Sequence, residues 1–236
     1  MHRKFLTAEW RKLIMANYLV DPLVLQPFLP AKTELDSWNG HTYVSLVGFM
    51  FQNTRVMGMP IAFHINFPEV NLRFYVKYKE NGQYKRGVVF MKEIVPKPAI
   101  TFVANTFFRE KYVTLPMKHY LSQNDQLRVE YEWKYNKRWN VLKVAADIKA
   151  SALKEGSEEE FISEHFWGYT NMNAATTGEY KVEHPQWDIY NVNNYTVDCD
   201  FGNLYGSAFA GLSNQQPHSV FLAEGSPISV YSKRII

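Results

Sequence analysis

The chain has one cysteine, Cys199, among its 236 residues. It can form no intramolecular disulfide and offers no second thiolate for a structural zinc site, a usage that fits a reducing compartment. No uncharged apolar stretch reaches the roughly 18 residues needed to cross a bilayer. The opening MHRKFLTAEWRKL is basic but lacks the apolar run of a secretory signal. A soluble, cytoplasmic protein without a membrane partner is therefore expected. Gly-rich phosphate loops, GxGxxG, HExxH, GxSxG and paired CxxC motifs are missing, so nucleotide-dependent and familiar hydrolase mechanisms have no direct support. The seven histidines, at positions 2, 41, 64, 119, 165, 184 and 218, include no i, i+4 pair. No metal and no cofactor are expected, although histidines from distant strands could still assemble a metal site. Net charge is +3, from 26 basic and 23 acidic residues scattered along the chain. Nucleic acid is not an expected partner, because binding it needs a basic stripe.

What the sequence does have is apolar material: 46% hydrophobic and 16% aromatic residues. That is ample for a core without staples, and residues 1–236 are expected to form one domain. Thr7 as an N-cap, with Trp10, Leu13 and Ile14 at helical spacing, predicts a short opening helix. Asp21-Pro22 predicts a second helix start. Asn39-Gly40 signals a hairpin before a strand from about Thr42 to Phe51 that is apolar on both faces, as a central strand would be.

FPEVNLRFYVKY, residues 67 to 78, alternates: Val70, Leu72, Phe74 and Val76 on one face, Glu69, Asn71, Arg73, Tyr75 and Lys77 on the other. If the polar face meets water the strand is ordinary; if it meets a cavity, four kinds of polar group converge there. LRVEYEWK, from Leu127, alternates in the same way, so periodicity does not separate the cases. Asn and Tyr are less typical of a solvated strand face than Lys and Glu, which favours the cavity. Asn81-Gly82 predicts a hairpin into RGVVFMKEI, and Asn136-Lys137 one into WNVLKVAADI. Between them Ile100, Val103, Ala104 and Phe107 are spaced as one helix face. Ser157 followed by three glutamates starts another short helix, and Tyr205 to Leu212 reads as helical. Antiparallel strands in meander with a few small helices predict a barrel or a highly curved sheet.

The runs EVNLRFYV, RGVVFMKEIVPKPAI and YVTLPMKH, with EHFWGYT and PHSVFLAEGS downstream, resemble the uncharacterised bacterial YqjF-like family, grouped with the acetoacetate decarboxylase-like superfamily. The resemblance implies a mainly β fold: a cone-shaped antiparallel β-barrel with a partly polar interior, flanked by a few short helices. It also implies a small organic acid as partner. In acetoacetate decarboxylase a lysine forms a Schiff base with a β-keto acid, and its amine must be kept unprotonated. Lys118 in TLPMKH matches that lysine, but Met117 and His119 flank it where the enzyme has a second lysine. Glu69 matches the enzyme's glutamate, and Arg73 is the local candidate for its arginine. The expected site is thus Lys118, Glu69 and Glu93 for catalysis, with Arg73, Asn71, Tyr75, His119 and His165 binding the ligand. Glu93 has the plainer alternative of an ion pair with Arg73 or Lys92, and His165 that of anchoring a helix end. A decarboxylase-like activity and a non-catalytic ligand-binding or sensory role both stay open, as does association into homo-oligomers.

Overall fold

The computed structural model describes residues 3–236; His2 and the side chains of Phe107 and Phe108 lie outside the described residues. Fifteen strands follow one another with four short helices between them. The first half contains β1 (Lys4–Val20), α1 (Pro22–Leu25), β2 (Glu34–Leu35), β3 (Thr42–Val56), β4 (Met59–Pro60), β5 (Phe67–Glu80), β6 (Gln83–Val95) and α2 (Pro98–Val103). Next come β7 (Tyr112–Thr114), β8 (Met117–Gln123), β9 (Leu127–Tyr135), β10 (Arg138–Ser151) and α3 (Glu158–Ser163). The last part holds β11 (Trp167–Asn171), β12 (Thr177–Glu183), β13 (Ile189–Asp198), α4 (Phe201–Tyr205), β14 (Ser219–Tyr231) and β15 (Arg234–Ile235).

The strands β12, β11, β6, β5, β3, β1 and β14 pair in that order, and β12 pairs back onto β14 at Val182↔Val230 and Glu183↔Ser229, closing a ring. Lower on the same edge, β14 pairs with β13 at Ile189↔Ala223, so the edge forks. From that fork β13, β10, β9 and β8 run on as a second layer. The pairing is antiparallel except where β6 meets β11 and β7, which lie parallel to it. This corrects the expectation of a purely antiparallel sheet: both contacts follow chain crossovers, and parallel neighbours need crossovers.

Two hydrophobic cores result. One lies inside the ring and includes Leu13, Met15, Val47, Phe49, Phe67 and Trp187. The other fills the space between the ring's outer face and the second layer, and includes Ile14, Leu46, Leu72, Phe74, Tyr131 and Trp133. The layers close tightly where β3 crosses β9: a Cβ on Gly48 would stand 2.7 Å from the Tyr131 ring.

The turns at Asn39-Gly40, Asn81-Gly82 and Asn136-Lys137 all have positive φ at both central residues, the requirement of the type I′ hairpin. The Asp21 and Ser157 caps form as expected, each accepting a bond from its helix's first turn. The opening helix does not. Residues 4–20 are a strand, bulged at Lys12, where φ is 55° and the register with β3 shifts between Arg11 and Ile14. The bulge moves the inward row from Ala8 and Trp10 to Leu13 and Met15. Trp10 and Leu13 thus share a face at helical spacing without a helix. The segment expected around Tyr205 is displaced and split: α4 ends at Tyr205, Gly206 breaks it at φ 111°, and a 3-10 stretch covers Ser207–Asn214.

Candidate functional site

Strand β5 has no solvent face over most of its length, because one row packs into each core. Val70, Leu72, Phe74 and Val76 face the outer layer, whereas Glu69, Asn71 and Arg73 line a cavity of about 190 Å³ inside the ring. By contrast β9 buries Leu127, Val129, Tyr131 and Trp133 but leaves its charged row at the surface. A register shift in β6 opposite Leu72 and Arg73 brings Val88, Phe90 and Glu93 onto the same wall. The rest of the wall is largely aromatic, with Trp10, Phe49, Phe51, Phe67 and Trp187, and α2 lies across it through Ala99, Ile100 and Val103. The helix thus lines the cavity instead of packing flat on the sheet.

At one end three carboxyl groups meet. Glu69 accepts bonds from Asn71 Nδ2 at 2.9 Å and from the Tyr112 hydroxyl at 3.0 Å. Glu110 accepts from Thr170 at 2.7 Å and pairs with Lys233 at 3.3 Å. Glu93 stands across from Asn71 in the strand register, and its Oε2 has no protein partner. Burial pushes the Glu69 carboxyl up to about 7, more than the bonds from Asn71 and Tyr112 pull it down. Burial, and then the neighbouring Glu110 and Glu69, raise Glu93 well above the carboxylate range. Burial also raises Glu110, against the pull of Lys233. Burial thus makes all three carboxyl groups easier to protonate than they are in water. Among the described residues no group of His, Cys, Asp and Glu has the arrangement of a metal site.

At the other end Arg73 donates from Nη2 to the Ile162 carbonyl at 3.1 Å, while its Nε has no protein partner. The α3 helix supplies that carbonyl and delivers His165 just beyond its end. His165 Nε2 donates to Asp36 Oδ2 at 3.2 Å, and Arg86 Nε donates to the same oxygen at 2.6 Å. Burial holds the imidazole neutral, with its pKa near 4, against the pull of Asp36. The lone pair on Nδ1 is left facing no protein donor. His165 thus both ties down a helix end and lines the cavity.

The other expected residues separate from this group. Tyr75 is buried beside His165, 4.7 Å between ring centres, but it does not line the cavity. Its hydroxyl bonds to Ser45 at 2.6 Å, and Ser45 in turn donates to Asn17. Lys118 and His119 lie on β8, at the far edge of the second layer. The Lys118 side chain is 64% exposed, pairs with Glu132 at 3.8 Å and sits over the Trp139 ring. This corrects the expectation that Lys118 and His119 meet Glu69: β8 pairs with β9 outside the ring, so its side chains cannot enter it. Nor does Glu93 form the ion pair considered for it, because Lys92, on the opposite face, donates to the Leu204 carbonyl in the outer layer. Lys118→Ala is accordingly expected to cost no more than about 1 kcal/mol, or about 2–4 °C of melting temperature, as for other exposed pairs, and calorimetry would check it.

A sequence profile of a family described as uncharacterized conserved proteins, DUF2071, matches residues 7–227. The chain belongs to this family. The uncharacterized protein YqjF of Bacillus subtilis (strain 168) is 25% identical over 231 residues, covering 95% of this chain and 86% of YqjF. Acetoacetate decarboxylase from Legionella pneumophila superposes with a TM-score of 0.68 at 12% identity, covering 99% of this chain and 88% of that one. MppR, an enduracididine biosynthesis enzyme complexed with pyruvate, superposes with a TM-score of 0.72 at 10% identity, covering 100% and 91% of the two chains. At such identities the likeness is one of fold, and it makes this DUF2071 chain a mainly β protein with acetoacetate decarboxylase-like neighbours. Glu110, Tyr112 and Lys233, which complete the carboxyl cluster, escaped sequence reading. Glu110 lies in an irregular segment, Tyr112 opens a strand of only three residues and Lys233 is near the chain end, so no periodicity assigns any of them a face.

Proposed function

We propose that this DUF2071 protein binds, and in the catalytic version of the reading transforms, a small organic acid inside the ring, read as a cone-shaped barrel. One observation carries the reading: a buried guanidinium with a free Nε donor faces an aromatic cavity whose opposite end holds a cluster of buried carboxyl groups. Arg73 would take the carboxylate, since charge-assisted bonds to a guanidinium are strong in a dry site. Glu69 and Glu93 would give or accept a proton, the pKa of Glu69 being pushed up to about 7 and that of Glu93 raised well above the usual carboxylate value. The pyruvate bound by MppR supports an oxo acid as the first class to try. Imine chemistry at Lys118 finds no support in its position, which leaves the non-catalytic or sensory version equally compatible with the site.

A thermal-shift screen of small carboxylic acids tests the proposal. At about a hundred times its dissociation constant, a ligand that binds only the folded state adds about 2.7 kcal/mol of stability. Wild type should show such shifts, and Arg73→Ala should lose affinity by about 30-fold or more, because the anion loses a desolvated charged partner. Equal shifts in both proteins would sink the proposal.

A further inference from the structure

Among the described residues nine buried side-chain polar atoms have no protein partner, and six of them belong to residues on the cavity wall. Buried polar groups are almost always paired, so such a concentration marks where a ligand's own polar groups belong. The kinds of atom are informative. Arg73 Nε is a donor, whereas Asn71 Oδ1 and His165 Nδ1 are acceptors and Glu93 Oε2 belongs to a carboxyl. The donation from Asn71 Nδ2 to Glu69 fixes which way that amide points, and the donation from His165 to Asp36 fixes the tautomer. Trp10 Nε1 and Thr54 Oγ1 complete the six.

From this pattern we infer that the ligand is a small hydroxy acid with an apolar body: carboxylate on Arg73, hydroxyl on the facing pair Asn71 and Glu93. The inference rests on the acid-binding reading above and sharpens it. Asn71 and Glu93 oppose each other across β5 and β6, and Arg73 follows two residues along the same row, about 7 Å on. A hydroxyl has one hydrogen for Asn71 Oδ1 and lone pairs for a protonated Glu93. An oxo group only accepts, so it would leave Asn71 Oδ1 without a donor. An ammonium would need an ionised partner, and burial disfavours the ionised form of Glu93. The aromatic wall takes the remaining body by area burial.

Calorimetric titration with two matched series decides the matter: 4-methylpentanoate and 3-phenylpropionate, each with hydrogen, hydroxyl, oxo or amino at carbon 2. In wild type the hydroxy member should bind about tenfold or more tighter than the unsubstituted, oxo and amino members, because it alone both donates to Asn71 Oδ1 and accepts from Glu93 without adding a charge. Asn71→Leu and Glu93→Leu should each narrow that advantage to about twofold while still binding the unsubstituted acid. If a variant fails to fold, the wild-type ratios decide alone. Unsubstituted acids that bind with no gain from the hydroxyl, a tighter oxo or amino member, or an advantage unchanged in both folded variants would overturn this inference and leave the acid-binding reading standing. Should no member of either series bind, the acid-binding reading falls as well.

Discussion

Glu69→Gln is expected to stabilise the protein at alkaline pH and to leave it nearly unchanged at acidic pH. The carboxyl of Glu69 has its folded-state pKa raised from 4.5 to about 7, chiefly by burial. Between those values the native state keeps a proton that the unfolded chain has released, so stability falls as pH rises through the window. Above about pH 7 the whole cost is present; below about pH 4.5 it vanishes. Glutamine imitates the protonated carboxyl and carries no such cost. A shift of this size corresponds to about 3 kcal/mol. The difference in stability between variant and wild type should therefore grow by about that amount from pH 5 to pH 8. In a chain of this length that is about 6–12 °C of melting temperature. Urea unfolding at both pH values measures it. A difference that is the same at pH 5 and pH 8 would show that the glutamate is ionised, or solvated, in the native protein.

The second large effect lies far from the cluster. Gly225 sits in β14 opposite Arg11 with φ of 82°, beside the bulge at Lys12. A Cβ there would stand 2.0 Å from the Trp10 carbonyl oxygen, a backbone atom that cannot swing aside. Gly225→Ala would combine about 1–2 kcal/mol of left-handed backbone cost with an overpacking cost of about 1–3 kcal/mol. The expected loss is thus about 3 kcal/mol, or about 6–12 °C, with Gly225→Val worse. Circular-dichroism melts of the two variants check this; a melting point within about 2 °C of wild type for Gly225→Ala would contradict the close approach of β1 and β14.

Which parts of this molecule can be read from the sequence follows from where its periodicities stay pure. The three Asn-led turns and the strands they join are legible because a type I′ turn demands residues that tolerate positive φ, and Asn-Gly announces them. The polar row of β5 is legible as a candidate, since Glu69, Asn71 and Arg73 stay in step across their stretch. What alternation does not reveal is that its apolar row is also buried, under a second layer made by residues 60 positions later. Bulges hide more. At Lys12 one turns a strand into an apparent helix, and in β6 another puts Phe90 and Glu93 on one wall despite their three-residue spacing. Lys118 misleads for a different reason: a motif match to a distant relative carries no information on which layer its strand joins. Glu110 and Lys233 meet through tertiary closure alone, 123 residues apart.

The two-sided burial of β5 has one more consequence. The part of its polar row from Glu69 to Arg73 is almost wholly removed from water, whereas mobile counter-ions screen only what solvent reaches. The attraction between Arg73 and the anion proposed for the ring would thus be set largely by the protein's own charges and dipoles, with little dependence on ionic strength. On that proposal, recognition at this site would be insulated from the salt around it.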